Sequence, residues 1–392
     1  MTTSNDTPAT VPFLTEDRLA IQAMAREFVA REVLPVANEL DPVAGEIPME
    51  LRDKMAELGF FGILIPEEYG GLGLGVSEYA LVVEELARGW MSVASLIARG
   101  QQFAHGFDAG QRAAYLPRMA RGEFLSAFAL SEAEAGSDVA NLRCRAEPEA
   151  DGGWRITGQK MWCTFADGSD YLQVFARTRP LDPEHRSRGI TCFLMPKERG
   201  TLPDGVTGTP VRKIGYHGWK TWELSFEGAR VEPGMIVGEE GKGFRVAMGD
   251  LVIARIHTAA RAIGLARGAL EDSIAYAAQR VQFGRPIADK QAIRFKIADM
   301  ATRIEASRAL LHRICTDYDA GQPSNLQASM VKLHATEMAE HVTSEGIQIH
   351  GGAGYTTDFA VERHWRDARL TKIFEGTSEI QMKIISDTLL GR

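Results

Sequence analysis

Near the C-terminus a single carboxylate stands in an unusual place, Glu375, within the run Ile373-Phe374-Glu375-Gly376-Thr377. Apolar side chains precede it, and a carboxylate that is readily desolvated suits a general base. The spacing from Ser378 to Gln381 is that of a capping box, so a helix should begin there and leave the N–H groups of residues 376–378 without intrahelical partners. Such N–H groups can stabilise an oxyanion or a phosphate. A surface glutamate just ahead of a helix is the simpler alternative.

Four further segments combine glycine, hydroxyl and aromatic residues in patterns that could bind a ligand. Gly136 and Ser137 follow a predicted strand, where backbone N–H groups and a hydroxyl could face an anion. Trp162 and Thr164 are two residues apart and therefore share one face of a strand. Arg280 lies at the end of a predicted helix, where a cation is favourable, and a second predicted helix ends in paired glycines. Turn, core and helix-cap roles explain each segment taken singly.

Several motifs of other enzyme classes are not found. The glycines at 70, 71, 73 and 75 lack the G-x-G-x-x-G spacing and follow no strand, which disfavours a dinucleotide loop. The run 238–243 lacks the Walker spacing, and no G-x-S-x-G elbow occurs. His334 and His341 have neither an HExxH motif nor a third ligand beside them, so we expect no metal site.

The composition is that of a globular protein. Its 392 residues carry a net charge of −8, whereas nucleic-acid binding needs a basic surface, so nucleic acid is not an expected partner. No apolar run approaches the ~18–20 residues of a membrane span, so we expect no membrane insertion. The four cysteines lack CxxC spacing, and residues 1–11 resemble no signal or transit peptide. We therefore expect a soluble, cytoplasmic protein.

Hydrophobic periodicity divides the chain into three regions. Residues 1–122 follow a helical period, residues 123–238 contain short β-rich runs separated by turns, and residues 239–392 are again helical. In the last region helices are expected at 241–282, 288–320, 325–347 and 378–390. We predict an N-terminal helical domain, a mostly antiparallel β domain and a C-terminal bundle whose outer faces could serve oligomer contacts.

Seven motifs stand in an order and spacing that resemble the acyl-CoA dehydrogenase family. They are FALSEAEAGSD (128–138), GQKMWCT (158–164), GEEGKGF (238–244), RVQFGRPI (280–287), QIHGGAGY (348–355), VERHWRDAR (361–369) and FEGTSEIQ (374–381). The resemblance covers nearly the whole chain. It implies an α+β multidomain fold with an N-terminal helical domain, a middle antiparallel β-barrel or sandwich domain and a C-terminal four-helix bundle. FAD as cofactor and a homotetramer are implied as well.

The resemblance assigns site residues by position in this sequence. It implies that the flavin is bordered by Phe128, Leu130, Ser131, Gly136, Ser137, Trp162 and Thr164. It implies that the FAD pyrophosphate and adenosine are bound across a subunit interface by Arg280, Phe283, Gln291, Gln348, Gly351 and Gly352. Thr377 and Ser378 would complete the cofactor site at the helix start. Ser137, Arg255 and Gly376 would contact the acyl-CoA substrate.

The same resemblance gives Glu375 a function. It implies proton loss from the α-carbon of an acyl-CoA thioester to Glu375, coupled to hydride transfer from the β-carbon to flavin N5, with a trans-2-enoyl-CoA as product. The N–H of Glu375 and a ribityl hydroxyl of FAD would bind the thioester oxygen. Reduced FAD would pass its electrons to an electron-transferring flavoprotein. A flavin oxidase or monooxygenase using O₂, and a catalytically idle scaffold, are the alternatives, both disfavoured by the presence of Glu375.

Positions that vary in the family bear on the base and the substrate. Some members carry the base on the long helix, where this chain has Ala254, so Glu375 is the expected base. Val252 replaces an Asp that contacts CoA in many members, which leaves that contact open. The stretch from Gly89 to Arg99 is expected to border the acyl pocket. Trp90 could shorten the pocket and Arg99 could bind a distal carboxylate, with helix packing and a solvated arginine as alternatives.

Overall fold

The computed structural model describes residues 13–101, 104, 106–249 and 251–392. Its described N-terminal part folds into α1 (Glu16–Phe28), α2 (Leu34–Leu40), α3 (Met49–Glu57), α4 (Val76–Gly89), α5 (Met91–Gln101) and α6 (Ala109–Ala120). The start of α1 is stabilised by Thr15, whose hydroxyl accepts a hydrogen bond from the N–H of Arg18. A π-helical turn at Val29–Val33 joins α1 to α2. Both α4 and α5 are buried on nearly all sides, as their largely apolar sequences require.

One mixed sheet forms the middle region. Its strands are β1 (Ser126–Ala129), β2 (Arg145–Pro148), β3 (Trp154–Thr164), β4 (Tyr171–Arg177), β5 (Ile190–Pro196), β6 (Val206–Pro210), β7 (Thr221–Val231) and β8 (Ile236–Val237). They are ordered β6-β7-β3-β2-β4-β5-β8, and β1 pairs with β4 in parallel. The β2–β4 pairing is also parallel, and the remaining pairs are antiparallel, in agreement with the predicted mostly antiparallel domain.

The central strand β4 is buried along its whole length because the sheet is covered on both sides. On one side Leu172 and Val174 belong to an apolar cluster with residues of β3 and β7. On the other side Tyr171 and Phe175 pack with Phe124 and with residues of α6. Strands covered on both faces carry continuous apolar runs rather than alternating ones.

The C-terminal region is a helical bundle. Its described elements are α7 (Gly243–Gly249), α8 (Leu251–Gln279), the two-stranded β9 (Val281–Gln282) and β10 (Arg285–Pro286), α9 (Gln291–Asp319), α10 (Asn325–His350), α11 (Val361–Thr371) and α12 (Ser378–Leu389). The helix predicted over 241–282 corresponds to α7 and α8, which lie on either side of position 250. Position 250 itself is outside the described residues. The helix α11 was not predicted from periodicity. None of the described helices combines the length and apolarity needed to cross a bilayer.

The N-terminal helices and the C-terminal bundle share one apolar core. Tyr79 and Leu86 of α4 pack in the same cluster as Ile263 of α8, Ile304 of α9 and Val331 of α10. Consequently α8 is covered by α4 on one side and by α10 on another. This arrangement fixes α8 as a rigid element beneath the turn that carries Glu375.

A polar contact also joins the two helical regions. Asp319, at the end of α9, accepts hydrogen bonds from the N–H groups of Val76 and Ser77 at 2.7 and 3.0 Å, and thereby caps α4.

We predict that Asp319→Ala lowers the free energy of unfolding by about 1–2 kcal/mol, because the two N–H groups lose their acceptor. Urea unfolding followed by circular dichroism measures the effect. In the control Asp317→Ala, the lost carboxylate pairs with Arg313 on the same exposed helix face; equal stability of the two variants would contradict the prediction.

Candidate active site

Glu375 lies in the turn between α11 and α12, and its backbone has a φ of 54°. Residues other than glycine rarely adopt this conformation, which persists where the surrounding structure imposes it, often at functional sites. Gly376 follows with a φ of 91°. The backbone hydrogen bonds of the described residues leave the N–H groups of Glu375 and Gly376 without a carbonyl partner. The turn thus presents a carboxylate together with free donors.

The cap of α12 differs from the sequence prediction by one residue. Thr377 is the N-cap, and its hydroxyl accepts a hydrogen bond from the N–H of Ile380 at 3.3 Å. The N–H of Ser378 donates to the carbonyl of Lys372 at 3.0 Å and is not free. The predicted capping box from Ser378 to Gln381 is therefore wrong. Adjacent Thr and Ser residues cap almost equally well, so local sequence could not decide between them.

The carboxylate of Glu375 is held by two side chains of α8. Its Oε1 accepts a hydrogen bond from Arg261 Nη2 at 2.7 Å, and its Oε2 accepts one from the hydroxyl of Thr258. The side chain of Arg261 is only 1% exposed, whereas that of Glu375 is 30% exposed. The guanidinium therefore lies behind the carboxylate, on the side away from solvent. Neither partner is predicted by the local sequence, whose apolar residues led us to expect a desolvated carboxylate.

Lys332 of α10 fixes the backbone of the turn. Its ammonium donates to the carbonyl of Gly376 at 2.7 Å, and the side-chain amide of Gln381 donates to the same oxygen at 2.9 Å. Burial lowers the pKa of Lys332 to about 8, although the nearby Glu375 carboxylate opposes this shift. The turn is therefore held from α10 and α12 as well as from α8.

Aromatic rings and a second arginine surround the Arg261 side of the carboxylate. The ring of Tyr216 lies 5.1 Å from that of Trp219 and 5.9 Å from that of Phe374. The guanidinium of Arg261 packs on Phe374 at 4.5 Å, and that of Arg99 packs on Trp219 at 5.2 Å. These five residues, which we call the arginine pocket, combine apolar walls with two cationic groups.

Trp90, just before α5, and Arg99, within α5, were both considered as residues that select the substrate, and the structure places them in different environments. Trp90 is 1% exposed and its indole N–H donates to Asp41 at 3.2 Å, so it belongs to the core. Arg99 is half-buried against Trp219 and is not a solvated surface residue. Burial lowers the pKa of Arg99, and the neighbouring Tyr216 and Glu375 oppose that effect. Of the two, only Arg99 remains a candidate for contacting the acyl group.

Of the residues expected to contact substrate, Gly376 lies next to Glu375 in the turn and Arg255 lies one turn before Thr258 on α8. Arg255 is 4% exposed and donates to the side chain of Asn325 at 3.0 Å. Burial lowers its pKa, which the carboxylate of Glu375 opposes. Ser137 is exposed in the loop after β1.

The residues expected to border the flavin meet where β3 approaches the loop after β1. The N–H of Met161 donates to the carbonyl of Ser131 at 2.8 Å, and buried Lys160 donates to the carbonyl of Leu130 at 2.9 Å. The pairing of β3 with β7 shifts register between Lys160 and Cys163, and Trp162 within this bulge has a φ of 65° and is 56% exposed. Phe128 and Thr164 are half-buried, and Gly136 is exposed.

The second set of expected FAD residues lies apart from the first. Arg280 follows α8, Phe283 lies in the β9–β10 turn, Gln291 starts α9, and Gln348 with its following glycines ends α10. All are exposed, Phe283 by 95%. No hydrogen bond or ion pair found among the described residues joins this set to Glu375 or to β3. Their role across a subunit interface remains a prediction.

Positive φ values at residues other than glycine coincide with these positions. Among the described residues they occur at Ala44, Trp162, Phe165, Tyr216, Phe283 and Glu375. Three of these were predicted as site residues, and Tyr216 lines the arginine pocket. Phe165 packs against Trp219 at 5.5 Å. Such backbone conformations cost free energy and tend to be retained at functional sites.

Comparison with known families agrees with the motifs. Residues 15–123 match the N-terminal domain of acyl-CoA dehydrogenases, residues 127–229 their middle domain and residues 241–390 their C-terminal domain. The chain belongs to the acyl-CoA dehydrogenase family. It is thus an oxidoreductase acting on the CH–CH group of acyl-CoA substrates, and the predicted α+β architecture of three parts is confirmed.

Relatives of similar length match over almost the whole chain. An acyl-CoA dehydrogenase of Bacillus subtilis is 39% identical, with 96% of this chain and 99% of the relative covered. The butyryl-CoA dehydrogenase structure from Megasphaera elsdenii is 35% identical at a TM-score of 0.90 and covers 96% and 99% of the two chains. A chain in a structural study of the electron-transferring flavoprotein of Acidaminococcus fermentans is 36% identical at a TM-score of 0.90, covering 97% and 99%.

Members of this family are flavoproteins, and the residues present fit a large planar cofactor. Trp162 offers a largely exposed indole on a distorted strand, as stacking on an isoalloxazine requires. At Gly136, Gly351 and Gly352 there is open space where a side chain would otherwise stand, so the backbone can approach a ligand closely. No group of three His, Cys, Asp or Glu side chains among the described residues could hold a metal ion.

The buried ammonium of Lys332 generates a pH prediction. Its pKa of about 8 lies below the ordinary 10.5, so between these values the unfolded chain binds the proton that the folded chain has released. Stability contributed by this group should therefore rise with pH across that window, by at most about 1.4 kcal/mol per pH unit. We predict that the unfolding free energy of the wild type, minus that of Lys332→Met, increases from pH 8 to pH 10. Urea titrations at each pH measure the difference. A difference that stays constant from pH 8 to pH 10 would show that the pKa of Lys332 is not lowered in the folded chain and would contradict the prediction.

Proposed function

We propose that this chain desaturates an acyl-CoA thioester between its α- and β-carbons and releases the trans-2-enoyl-CoA. The observation that carries the proposal is the fixed, partly exposed carboxylate of Glu375, held by Arg261 and Thr258 beside its own free N–H. Membership of the acyl-CoA dehydrogenase family supports the reaction class. The acyl group itself is not set by that membership.

Glu375 is the proposed base for the α-proton. Such a proton is too weakly acidic for a free carboxylate to remove, so the thioester oxygen must be stabilised as negative charge develops on it. The N–H of Glu375 is the proposed donor, because it has no carbonyl partner in the described chain. The ion pair with Arg261 and the bond from Thr258 fix both carboxylate oxygens and so orient the base.

FAD is the proposed hydride acceptor and would supply the oxidising power when bound. Phe128, Leu130, Ser131, Trp162 and Thr164 would hold its flavin end. Thr164 bonds to the hydroxyl of Thr221 at 2.9 Å, which orients that side chain. Thr377 and Ser378 would contact the cofactor where it meets the bundle. The backbone N–H of Ser378 donates to the carbonyl of Lys372 and is therefore not available to the cofactor.

The exposed set at the other end of α8 supports the proposal of a homotetramer with shared FAD sites. Large apolar side chains are exposed on the bundle at Phe283, Phe295, Tyr355, Leu389 and Leu390. Large exposed apolar side chains on one helical region supply surface that a subunit interface could bury. Light scattering coupled to size-exclusion chromatography measures the assembly; a monomer that still retains FAD would contradict the shared site.

An electron-transferring flavoprotein is the proposed electron acceptor, which is supported by the similarity to a chain from a study of such a protein. The alternative is an oxidase that uses O₂. Stopped-flow mixing of the substrate-reduced protein with aerated buffer distinguishes them. We expect slow reoxidation while product stays bound; rapid reoxidation with substrate present would favour the oxidase.

The base assignment is tested by Glu375→Gln. We predict that this variant retains FAD but loses at least ~10³-fold in the rate of flavin bleaching by an acyl-CoA under anaerobic conditions, because a positioned base contributes 10²–10⁴-fold. Glu379→Gln is the matched control, since Glu379 is exposed in the first turn of α12. Bleaching at a near-normal rate in Glu375→Gln would refute the assignment.

A further inference from the structure

The charges around the base do not balance. Arg261 forms an ion pair with the carboxylate of Glu375, whereas Arg99 interacts with that carboxylate electrostatically without pairing with it. No described acidic residue forms an ion pair with Arg99. Its counterparts in the pocket are the ring of Trp219 and the hydroxyl of Tyr216. The arginine pocket therefore holds two guanidinium groups and one carboxylate.

Several other buried or half-buried arginines in the described chain have carboxylate or carbonyl acceptors. Arg267 pairs with Glu85 at 2.5 Å, and Arg308 pairs with Glu84 at 2.9 Å. Arg177 instead donates to four backbone carbonyls. A buried cation without an anion is costly, so such pairing is the rule. Arg99, by contrast, has neither a carboxylate nor a backbone carbonyl as its acceptor among the described residues, a situation it shares with Arg255, whose partner is the amide oxygen of Asn325.

Three donors of the same pocket also lack acceptors. Among the described residues, the Nε of Arg99, the Nε of Arg261 and the indole Nε1 of Trp219 are buried without a hydrogen-bond partner. Arg261 is 1% and Trp219 5% exposed, so solvent cannot easily satisfy them. Single unsatisfied guanidinium donors also occur at Arg255, Arg267 and Arg363, but in the arginine pocket three donors on two cations and an indole lie together. Such a cluster of unsatisfied donors favours an anionic ligand.

The phosphates of CoA are not the expected anion, because Arg261 lies behind Glu375 on the side away from the opening. Arg255 lies on a different turn of α8 and donates a hydrogen bond to Asn325 of α10. It is the group expected to contact the CoA part of the substrate. An anion in the arginine pocket must instead belong to the far end of the acyl group.

We propose that the acyl group carries a distal carboxylate, which Arg99 and Arg261 bind, so that the substrate is the CoA monothioester of a short dicarboxylic acid. This inference rests on the proposed desaturation, in whose proton and hydride transfers the distal carboxylate takes no part.

The geometry limits the length of the acid. A base comes within about 3 Å of the carbon whose proton it removes, and Arg261 Nη2 is 2.7 Å from Glu375 Oε1. A charge-assisted hydrogen bond occupies about 2.8 Å of the remaining path. The carboxylate C–O bond takes about 1.2 Å more, so a straight path leaves room for little more than one C–C bond of about 1.5 Å. Desaturation needs a β-carbon, so the link from the α-carbon to the distal carboxyl carbon has at least two C–C bonds, and three fit only in a bent chain. The expected acids have four or five carbons in the main chain.

The activity test compares succinyl- and glutaryl-CoA with butyryl- and valeryl-CoA, using an artificial electron acceptor and measuring kcat/KM for each. We expect the dicarboxylic thioesters to exceed the monocarboxylic ones by at least ~50-fold, since a site with buried polar groups rejects a ligand that leaves them unpaired. Equal or higher kcat/KM for the monocarboxylic thioesters would overturn the inference.

Variants of Arg99 assign the selectivity to the pocket. In Arg99→Met the dicarboxylic-to-monocarboxylic ratio of kcat/KM should fall at least ~10-fold, and Arg99→Lys should restore part of it. Arg118→Met is the control, because Arg118 packs on Phe124 at 4.6 Å outside the arginine pocket and should leave the ratio unchanged. A ratio unaffected by Arg99→Met would contradict the assignment.

Binding of thioesters to a variant that cannot turn them over tests the anion site independently of the proposed reaction. In Glu375→Gln, calorimetric titration should give a Kd for glutaryl-CoA at least ~10-fold below that for valeryl-CoA, and the added change Arg99→Met should remove the difference. If no thioester bleaches the wild-type flavin, the proposed desaturation fails, while preferential binding of glutaryl-CoA would still support the anion site. Equal affinities for the two thioesters would refute the anion site.

Discussion

The ion pair between Glu375 and Arg261 sets the requirements for most of the surrounding structure. One partner stands on a turn between two helices, and the other is buried in the middle of α8. Their contact can be reproducible only if α8 is rigid and the turn is fixed independently. The first condition is met by α4 and α10, which cover α8 from both sides. The second is met by Lys332 and Gln381, which bind the carbonyl of Gly376.

The site face of α8 follows from helical spacing. Ala254, Thr258 and Arg261 recur at intervals of three and four residues and therefore lie on one face. Ala254 is small and its carbonyl accepts a hydrogen bond from Thr258, which leaves room for the carboxylate from the turn. His257 points elsewhere and bonds to Tyr79 at 2.8 Å, and burial keeps its pKa well below the ordinary value. The same helix thus supplies both core packing and polar contacts.

Patterns that depend on near neighbours were predictable from the sequence. The order of helices, strands and bundle followed from periodicity, and Glu375 was recognisable from its local run and from the family motifs. The partners of Glu375 were not, because Arg261 is more than a hundred residues away and reads as one more charged residue in a long helix. Lys332 is hidden in the same way. The helix α11 was missed because it is short and its many charged residues make it look like an exposed segment; in the structure Arg363 and Asp367 of that helix are buried.

The ion pair also links the acyl group to the freedom of the base. Without substrate, Arg261 has Glu375 as its one anionic partner in the described pocket, and Arg99 has none. A neutral acyl chain that fills the pocket would exclude water from Arg99 without supplying a counter-charge, and such a desolvated cation costs several kcal/mol. A distal carboxylate offsets this cost and competes with Glu375 for Arg261. Selectivity for the acyl group and availability of the base would then depend on the same two guanidinium groups, one on α5 and one on α8.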